Sequence, residues 1–435
     1  MDINSLIKNA GHSSLMEVQQ EAIEAVQGHA NVVLYSKTGS GKTLAFLLSM
    51  ISKIDPSNAG IQGLILAPSR ELCLQIEDVF RSLKTGLKVT ICYGGHSMKE
   101  ERNSLSETPA LVIGTPGRIA DHIDRRNLDE LEYCSFLVID EFDKCLELGF
   151  ENDMDFITKP LKHLKHKMLA SATRLESIPN YLGMQSYHEI DKIEEDDVIN
   201  IEEHLIKCDY DIIEALATLL KSFKHDRTIV FCNYREVSED VSKQLDELGI
   251  TSTYYHGGLE QDERERALIK FRNGSSTILI CTDLGSRGLD IPDVMHIVHY
   301  QYPGSEEAFI HRKGRTARMS ANGHSYLFKG EKSQLPMYVQ TPESIIDLNL
   351  MVHEPVEPEW TTLYFSGGKK DKVNKIDIVG FLSKKGDLGK GEIGIITVQD
   401  RACYVAIKRK KVKSVFQKIK GEKVKGKRLK IAISK

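Results

Sequence analysis

The sequence predicts an α/β chain in which two successive parallel-sheet domains precede a small α+β domain, and three observations predict it. Apolar strand-like runs alternate with helical stretches through two segments of similar size, the pattern of parallel sheets covered on both faces. A glycine-rich loop, Ser36-Lys37-Thr38-Gly39-Ser40-Gly41-Lys42-Thr43, sits between an apolar strand and an apolar helix in the first segment only. From Thr361 to Lys435 there are 21 Lys and Arg against 6 Asp and Glu, a net +15, while the remainder carries −19. A compact basic module on an acidic body points to a polyanion as the tail's partner.

The first series of strands is read at Asn31–Tyr35, Gly63–Ala67, Lys88–Tyr93, Ala110–Gly114, Ser135–Asp140 and Lys167–Ser171. The second follows the acidic, loosely patterned segment Asp191–Glu203, with strands at Thr228–Cys232, Ser252–Tyr255, Thr277–Cys281, Val294–Val298 and Ser325–Phe328. That segment is read as a linker. A second linker is read at Val352–Glu359, where Pro355 and Pro358 with interleaved glutamates discourage regular structure. From Trp360 onward, Thr362–Ser366, a helix, Ile393–Val398, Cys403–Ile407, a second helix and Arg428–Ile433 read as β-α-β-β-α-β. The expected domains are therefore residues 1–190, 204–345 and 360–435. At 435 residues the chain is too long for one core. It holds no apolar run near the ~18 residues of a membrane span. Its start lacks the charged-then-apolar order of a signal peptide, so a cytoplasmic protein without membrane contact is expected. Eight scattered cysteines without a C-x-x-C pair read as reduced, buried small hydrophobes.

The loop at 36–43 matches the phosphate-binding pattern G-x-x-x-x-G-K-[ST] except that Ser36 replaces the first Gly. Backbone N–H groups of Thr38, Gly39, Ser40 and Gly41 would surround phosphate oxygens at a helix N-terminus. Lys42 would reach the outer phosphates of ATP and Thr43 would ligate Mg²⁺. Val138-Ile139-Asp140-Glu141-Phe142-Asp143 ends a strand of the same sheet, on the edge where α/β sheets gather ligands. Asp140 is the expected Mg²⁺ anchor and Glu141 the group that orients and deprotonates the attacking water. The Gln19 amide can bond N6 and N7 of adenine. The hydroxyls of Ser171 and Thr173, closing the next strand, are expected to bond Asp143 and couple the nucleotide site to whatever lies beyond. In the second series, Arg312, Arg315 and Arg318 fall on one helical face or a tight loop, where they would crowd one another unless an anion lay opposite. A γ-phosphate is such an anion.

Together these residues resemble a DEAD-box RNA helicase, a likeness that covers residues 1 to 345. The resemblance implies two tandem RecA-like parallel-sheet domains followed by the small α+β RRM-like domain. Gln19 matches the adenine-reading Q motif, and Asp140-Glu141-Phe142-Asp143 stands where D-E-A-D is expected. Pro68-Ser69-Arg70-Glu71-Leu72, Gly94-Gly95 and Thr115-Pro116-Gly117-Arg118 match the family's RNA-backbone contacts, as do Gln261 to Arg264 and Thr282 in the second domain. Asp290 matches the ribose-binding acid, and Arg315 and Arg318 match the arginine fingers. RNA is then held mostly through phosphates and sugars. Phe142 replaces Ala and repacks the space behind Asp143. Positions 1–3, Met-Asp-Ile, hold no aromatic where the family carries one, which implies the loss of an adenine-stacking partner worth roughly 1 kcal/mol.

The tail is similar to the C-terminal RNA-binding domain of DbpA-type DEAD-box helicases. That likeness implies 23S-type large-subunit ribosomal RNA and pre-ribosomal particles as targets of an ATP-dependent helicase; a monomer is expected. Its third strand holds one aromatic, Tyr404, so RNA is expected to be held by charge and shape, with Lys408, Arg409 and Lys410 and the run Lys423–Lys430 as contacts. An ATP-hydrolysis-independent RNA chaperone or assembly clamp is the alternative, with a DNA helicase as a third reading.

Overall fold

The computed structural model describes residues 2–434 except 37–39, 59, 176, 194–200, 209–210, 284–293, 318–321, 331–333, 349–353 and 355. The chain divides into two compact units, Met1–Asp197 with Gly288–Asp290, and Val198–Arg287 with Ile291–Lys435.

In the first unit, β1 (Asn31–Ser36), β2 (Gly63–Leu66), β3 (Val89–Cys92), β4 (Leu111–Gly114), β5 (Phe136–Ile139), β6 (His166–Ser171) and β7 (His188–Lys192) form one sheet. Their order is β3-β4-β2-β5-β6-β1-β7, and all pairs are parallel. Central strands such as Phe-Leu-Val-Ile in β5 are buried on both faces, which is why they read as continuous apolar runs. The helix Lys42–Ile51 starts on Gly41, whose φ of +87° lies in the left-handed region that glycine enters freely, and it is buried from Leu44 to Ile51. β6 lies between β5 and β1. The chain ends leaving β1, β6 and β5 therefore emerge side by side, and they bear the loop at 36–43, Ser171–Thr173 and Asp140–Asp143 respectively.

The second unit repeats this order: β10-β11-β9-β12-β13-β8-β14 is the first sheet's order with every number raised by seven. The strands are β8 (Ile201–Lys207), β9 (Arg227–Cys232), β10 (Thr253–Tyr255), β11 (Ile278–Thr282), β12 (Val294–His299), β13 (Gly323–Lys329) and β14 (Ser344–Ile346). Three strands escape the sequence reading. β7 has one buried residue, Ile190, and β14 has none, so neither shows an apolar run. β8, Ile-Glu-Glu-His-Leu-Ile-Lys, begins inside the stretch read as linker, because its two glutamates hide the buried His204-Leu205-Ile206 that follows them.

The C-terminal part of this unit is a four-stranded antiparallel sheet, β15 (Trp360–Phe365), β16 (Ile393–Val398), β17 (Cys403–Lys408) and β18 (Ile431–Ile433), in the order β16-β17-β15-β18. Leu363, Phe365, Val405 and Ile407 on one face pack with Ile378, Leu382 and Val415 from helices Lys375–Lys384 and Val412–Ile419. The opposite face is not left to solvent. Thr362 accepts a hydrogen bond from Asn273 Nδ2 at 3.0 Å and lies 2.5 Å from Ser275 Oγ. The Trp360 ring stands against Gly274, and Gln399 donates to Glu265. Tyr404 is 6% exposed, and burial raises its phenol to about 12, with Arg266 and Glu265 of helix Gln261–Arg272 among its charged neighbours. The one aromatic of the third strand thus packs toward the preceding domain. All eight cysteines are buried and free.

Thr362→Val keeps the shape of the side chain and removes its hydroxyl, leaving the buried polar groups of Asn273 and Ser275 without that partner. The expected cost is about 1–3 kcal/mol, read from thermal or urea melts.

Candidate nucleotide and RNA site

The loop is closed from within. Ser36 Oγ donates to Ser40 Oγ at 2.6 Å, so the serine that replaces the first glycine ties the two arms of the turn together. Lys42 Nζ donates back to the Ser36 carbonyl. Gln19 is 3% exposed; its Oε1 accepts the Met16 N–H at 2.9 Å and its Nε2 donates to the Gly41 carbonyl at 3.4 Å. A Cβ at Gly41 would stand 2.5 Å from that Nε2. Gln19 and the loop are therefore one assembly, with the amide group of Gln19 turned to the loop backbone. Thr43 lies in the first turn of the helix, half-buried. Thr38 and Gly39 lie outside the described residues.

Asp140 is 3% exposed, and burial together with the neighbouring Glu141 charge pushes its carboxyl up to about 7, against the opposing pull of Lys42. Glu141 sits at φ 46°, ψ 52°, left-handed and strained for a residue with a side chain, at the start of helix Phe142–Glu147. Its N–H donates to Asp140 Oδ1 at 2.9 Å. Phe142 is fully buried, in the cluster that holds Leu66, Ile139 and Cys145, so the larger side chain at this position faces the core and not the loop. Asp143 accepts from Thr173 Oγ1 at 3.0 Å. The expected partnership of Ser171 with Asp143 is not formed. Ser171 Oγ instead donates to the Thr173 carbonyl at 2.6 Å and accepts the Thr173 N–H at 3.2 Å, fixing the turn that presents Thr173.

At the other strand ends, Arg70 opens helix Arg70–Ser82 and lies 4.4 Å from the centre of the Tyr93 ring. Gly95, at φ +84°, brings its backbone to within a Cβ's reach of Arg70 Nη1. Thr115 precedes helix Pro116–Asp124, and its N–H donates to the Cys92 carbonyl at 3.1 Å.

Three family models match this chain: the DEAD/DEAH box helicase model over residues 16–179, the helicase conserved C-terminal domain over 211–320, and the DbpA RNA binding domain over 362–433. The ATP-dependent RNA helicases DbpA of Bacillus subtilis (strain 168) and Escherichia coli (strain K12) are each 31% identical to it over 99% of its length, covering 97% and 96% of their own. The chain belongs to the DEAD-box ATP-dependent RNA helicases. Yeast Dbp5 bound to RNA and ADP BeF3 superposes with a TM-score of 0.67 at 26% identity, over 75% of this chain and 88% of that one.

In the helicase's second unit, Arg312 is 1% exposed and its anion is internal. Its Nε and Nη2 bond the two oxygens of Asp283 at 2.6 and 2.7 Å, and the remaining donors reach the Gln301 carbonyl and Asn233. The crowding argument is thus answered for Arg312 within its own domain. Arg315 lies beyond the end of helix Glu306–Lys313, in a turn and 8% exposed, so Arg312 and Arg315 take the tight-loop alternative and not one helical face. Thr282 ends β11, buried, and Arg264 is half-buried on helix Gln261–Arg272. Asp290 and Arg318 lie outside the described residues. In the tail, Lys408 pairs with Glu359 and lies over the Trp360 ring at 4.1 Å, and Arg409 Nε donates to the Pro358 carbonyl at 2.6 Å. These two side chains thus fasten the incoming segment, whereas Lys410 stays exposed.

Sequence reasoning missed Glu101. It is 1% exposed, accepts from Arg118 Nε at 2.7 Å and the Tyr93 N–H at 3.1 Å, and lies 2.7 Å from His122 Nε2. Burial pushes its carboxyl up, yet bonds from His122, His96, Arg118 and the Tyr93 N–H outweigh burial and hold it at about 2. Glu101 therefore fixes the direction of Arg118. The segment Met98-Lys-Glu-Glu-Arg reads as a solvated charged helix; the signal in it is Glu101 on the same face as buried Leu105.

Glu101→Gln should lower stability at neutral pH by about 3 kcal/mol, measured by urea melts. The carboxyl is depressed in the folded state, so its contribution is full above the ordinary carboxylate range and is lost as pH falls toward 2. The gap between parent and variant should accordingly narrow as the melts are repeated at falling pH.

Proposed function

We propose that this helicase spends ATP hydrolysis on local unwinding or remodelling of structured RNA, with 23S-type large-subunit ribosomal RNA in pre-ribosomal particles as its target. The observation that carries this reading is the gathering of Lys42, Asp140 and Glu141 at the ends of β1 and β5, in a chain whose tail matches a DbpA RNA binding domain. The two DbpA relatives support the choice of RNA.

In this reading the N–H groups of Thr38, Gly39, Ser40 and Gly41 hold the phosphates, and Lys42 leaves the Ser36 carbonyl for the outer ones. Gln19 reads adenine and Asp290 takes the ribose. Thr43 and Asp140 offer a hard, oxygen-only donor set, and a carboxyl raised by burial is one that a divalent cation would return to its charged form. Mg²⁺ there supplies charge neutralisation at the phosphates. Glu141 orients the attacking water and takes its proton. Arg315 and Arg318 meet the charge that develops on the transferred phosphoryl group, so hydrolysis waits for both domains to close on RNA. Asp143 and Thr173, with Ser171 holding the turn, relay nucleotide state to the RNA contacts. Arg70, Gly95, Thr115, Arg118, Arg264 and Thr282 grip phosphates and sugars, and the tail raises the local concentration of one structured RNA. The protein acts as a monomer in the cytoplasm.

ATP hydrolysis should be stimulated by total ribosomal RNA and not by DNA of equal length, and Lys42→Ala and Glu141→Gln should each lower it at least ~10²-fold. Strand annealing without ATP turnover in the intact protein would instead identify a clamp.

For the tail, joint replacement of the exposed Lys410, Lys413 and Lys423 by Ala should weaken binding to structured ribosomal RNA. The slope of log affinity against log salt should flatten by about one for each phosphate contact removed. An unchanged slope would show that these lysines are only solvated.

A further inference from the structure

At the C-terminal ends of the second unit's parallel strands lie Thr282 and the Arg312–Asp283 pair. The opposite ends hold a different cluster. β12, β13 and β8 lie side by side, and their registers set His296 opposite His324, His324 opposite Glu202, and Tyr326 opposite His204. Alternate residues share a face, so these five side chains form one patch. Within it, His204 Nε2 and His324 Nδ1 are 3.0 Å apart, and Glu202 Oε2 lies 3.7 Å from the first and 3.4 Å from the second. A tetrahedral ion bound at ~2.0–2.1 Å by imidazole nitrogen and carboxylate oxygen sets its donor atoms about 3.3 Å apart. The three donors already outline one face of such a shell.

We propose that Glu202, His204 and His324 form a binding site for a borderline divalent transition metal, zinc in the cell, with water in the fourth position. Two imidazoles with one carboxylate suit Zn²⁺, whereas Mg²⁺ and Ca²⁺ take sets made of oxygen. The surroundings have the form such sites need. His204 Nδ1 lies 2.8 Å from Ser344 Oγ on β14, and an N–H donated there leaves the Nε2 lone pair facing the other two donors. Behind them, His296 stacks on Phe223 with ring centres 3.8 Å apart and lies 3.1 Å from the Tyr326 hydroxyl, which makes an aromatic wall. Glu202 is 63% exposed, so the ion has a way in from water. Bound there, the ion ties β8, the first strand after residues 194–200, to β13 and through Ser344 to β14. Its expected work is to hold these strands together.

The test uses the full chain, stripped with a chelator, dialysed, and titrated calorimetrically with Zn²⁺ in excess Mg²⁺. Co²⁺ is titrated in parallel for the visible absorption of tetrahedral coordination. One equivalent of Zn²⁺ should bind, with a tetrahedral cobalt spectrum. Glu202→Gln, His204→Ala and His324→Ala should each weaken binding more than ~10-fold, and Ser344→Ala by about 10-fold. Glu202→Gln changes a side chain that stands largely in water, so it keeps the test valid if a histidine variant fails to fold. Absence of binding by the parent, or equal affinity in Glu202→Gln and His324→Ala, would show a hydrogen-bonded histidine pair and no metal site.

Discussion

A carboxyl group taken out of water beside another carboxylate must find positive charge or give up its own. Asp140 is in that position, and the nearest balancing charge within the first unit is Lys42. The two are placed by separate strands, β5 and β1, with β6 between them, so the balance depends on sheet order before it depends on any side chain. The left-handed backbone of Glu141 belongs to the same constraint. It turns the chain sharply enough that Asp140 and Asp143 remain buried on either side of a residue that is only half-buried. Local strain of this kind persists only where the surroundings over-determine it, and the fully buried Phe142 ring anchors the turn from below.

The second unit repeats the sheet and solves its charge problem internally. Arg312 is buried, and a buried guanidinium without an anion would cost several kcal/mol. Asp283 supplies the anion in the two-pronged geometry that guanidinium and carboxylate share. β8 occupies the place in its sheet that β1 holds in the first, yet in the sequence Cys208-Asp209-Tyr210-Asp211 follows it where β1 is followed by a glycine-rich loop. The same framework thus keeps a phosphate loop in one copy and has none in the other. Asp283 immediately follows Thr282, so the ion pair also fixes the strand end at which Thr282 lies.

What could be read from the residues alone follows from how local the chemistry is. The loop at 36–43 and the Asp140–Asp143 run are each contiguous and stand at the ends of apolar strands, so the pattern that suggests a role is visible in the sequence. The acids Glu101 and Asp283 lie 17 and 29 residues along the chain from Arg118 and Arg312, and only the fold brings each acid to its arginine. Ser171 shows the converse. It closes the strand beside the one that leads to Asp143, which suggests a bond between them, but a backbone N–H and carbonyl two residues on are closer still. β7 and β14 were illegible because edge strands have one partner and little to bury, and β8 because charge on its first half outweighed the apolar second half.

The aromatics of the tail's sheet are already in use. A sheet that stacks bases must leave its aromatic face to solvent, and here Thr362 and Tyr404 on that face are buried while Thr362 bonds Asn273 and Gln399 bonds Glu265. Basic side chains are then spread over what the docked face leaves free, the helix Val412–Ile419 and the segment that follows it. Charge acts at a distance, tolerates water between partners and does not need a flat platform, so it is the mode of RNA binding compatible with a sheet already in use. The docking also places the tail against helix Gln261–Arg272, which bears Arg264. If Arg264 contacts RNA as proposed, a module fixed on that helix would deliver whatever RNA it holds beside that contact, which a freely tethered module of equal charge would not do.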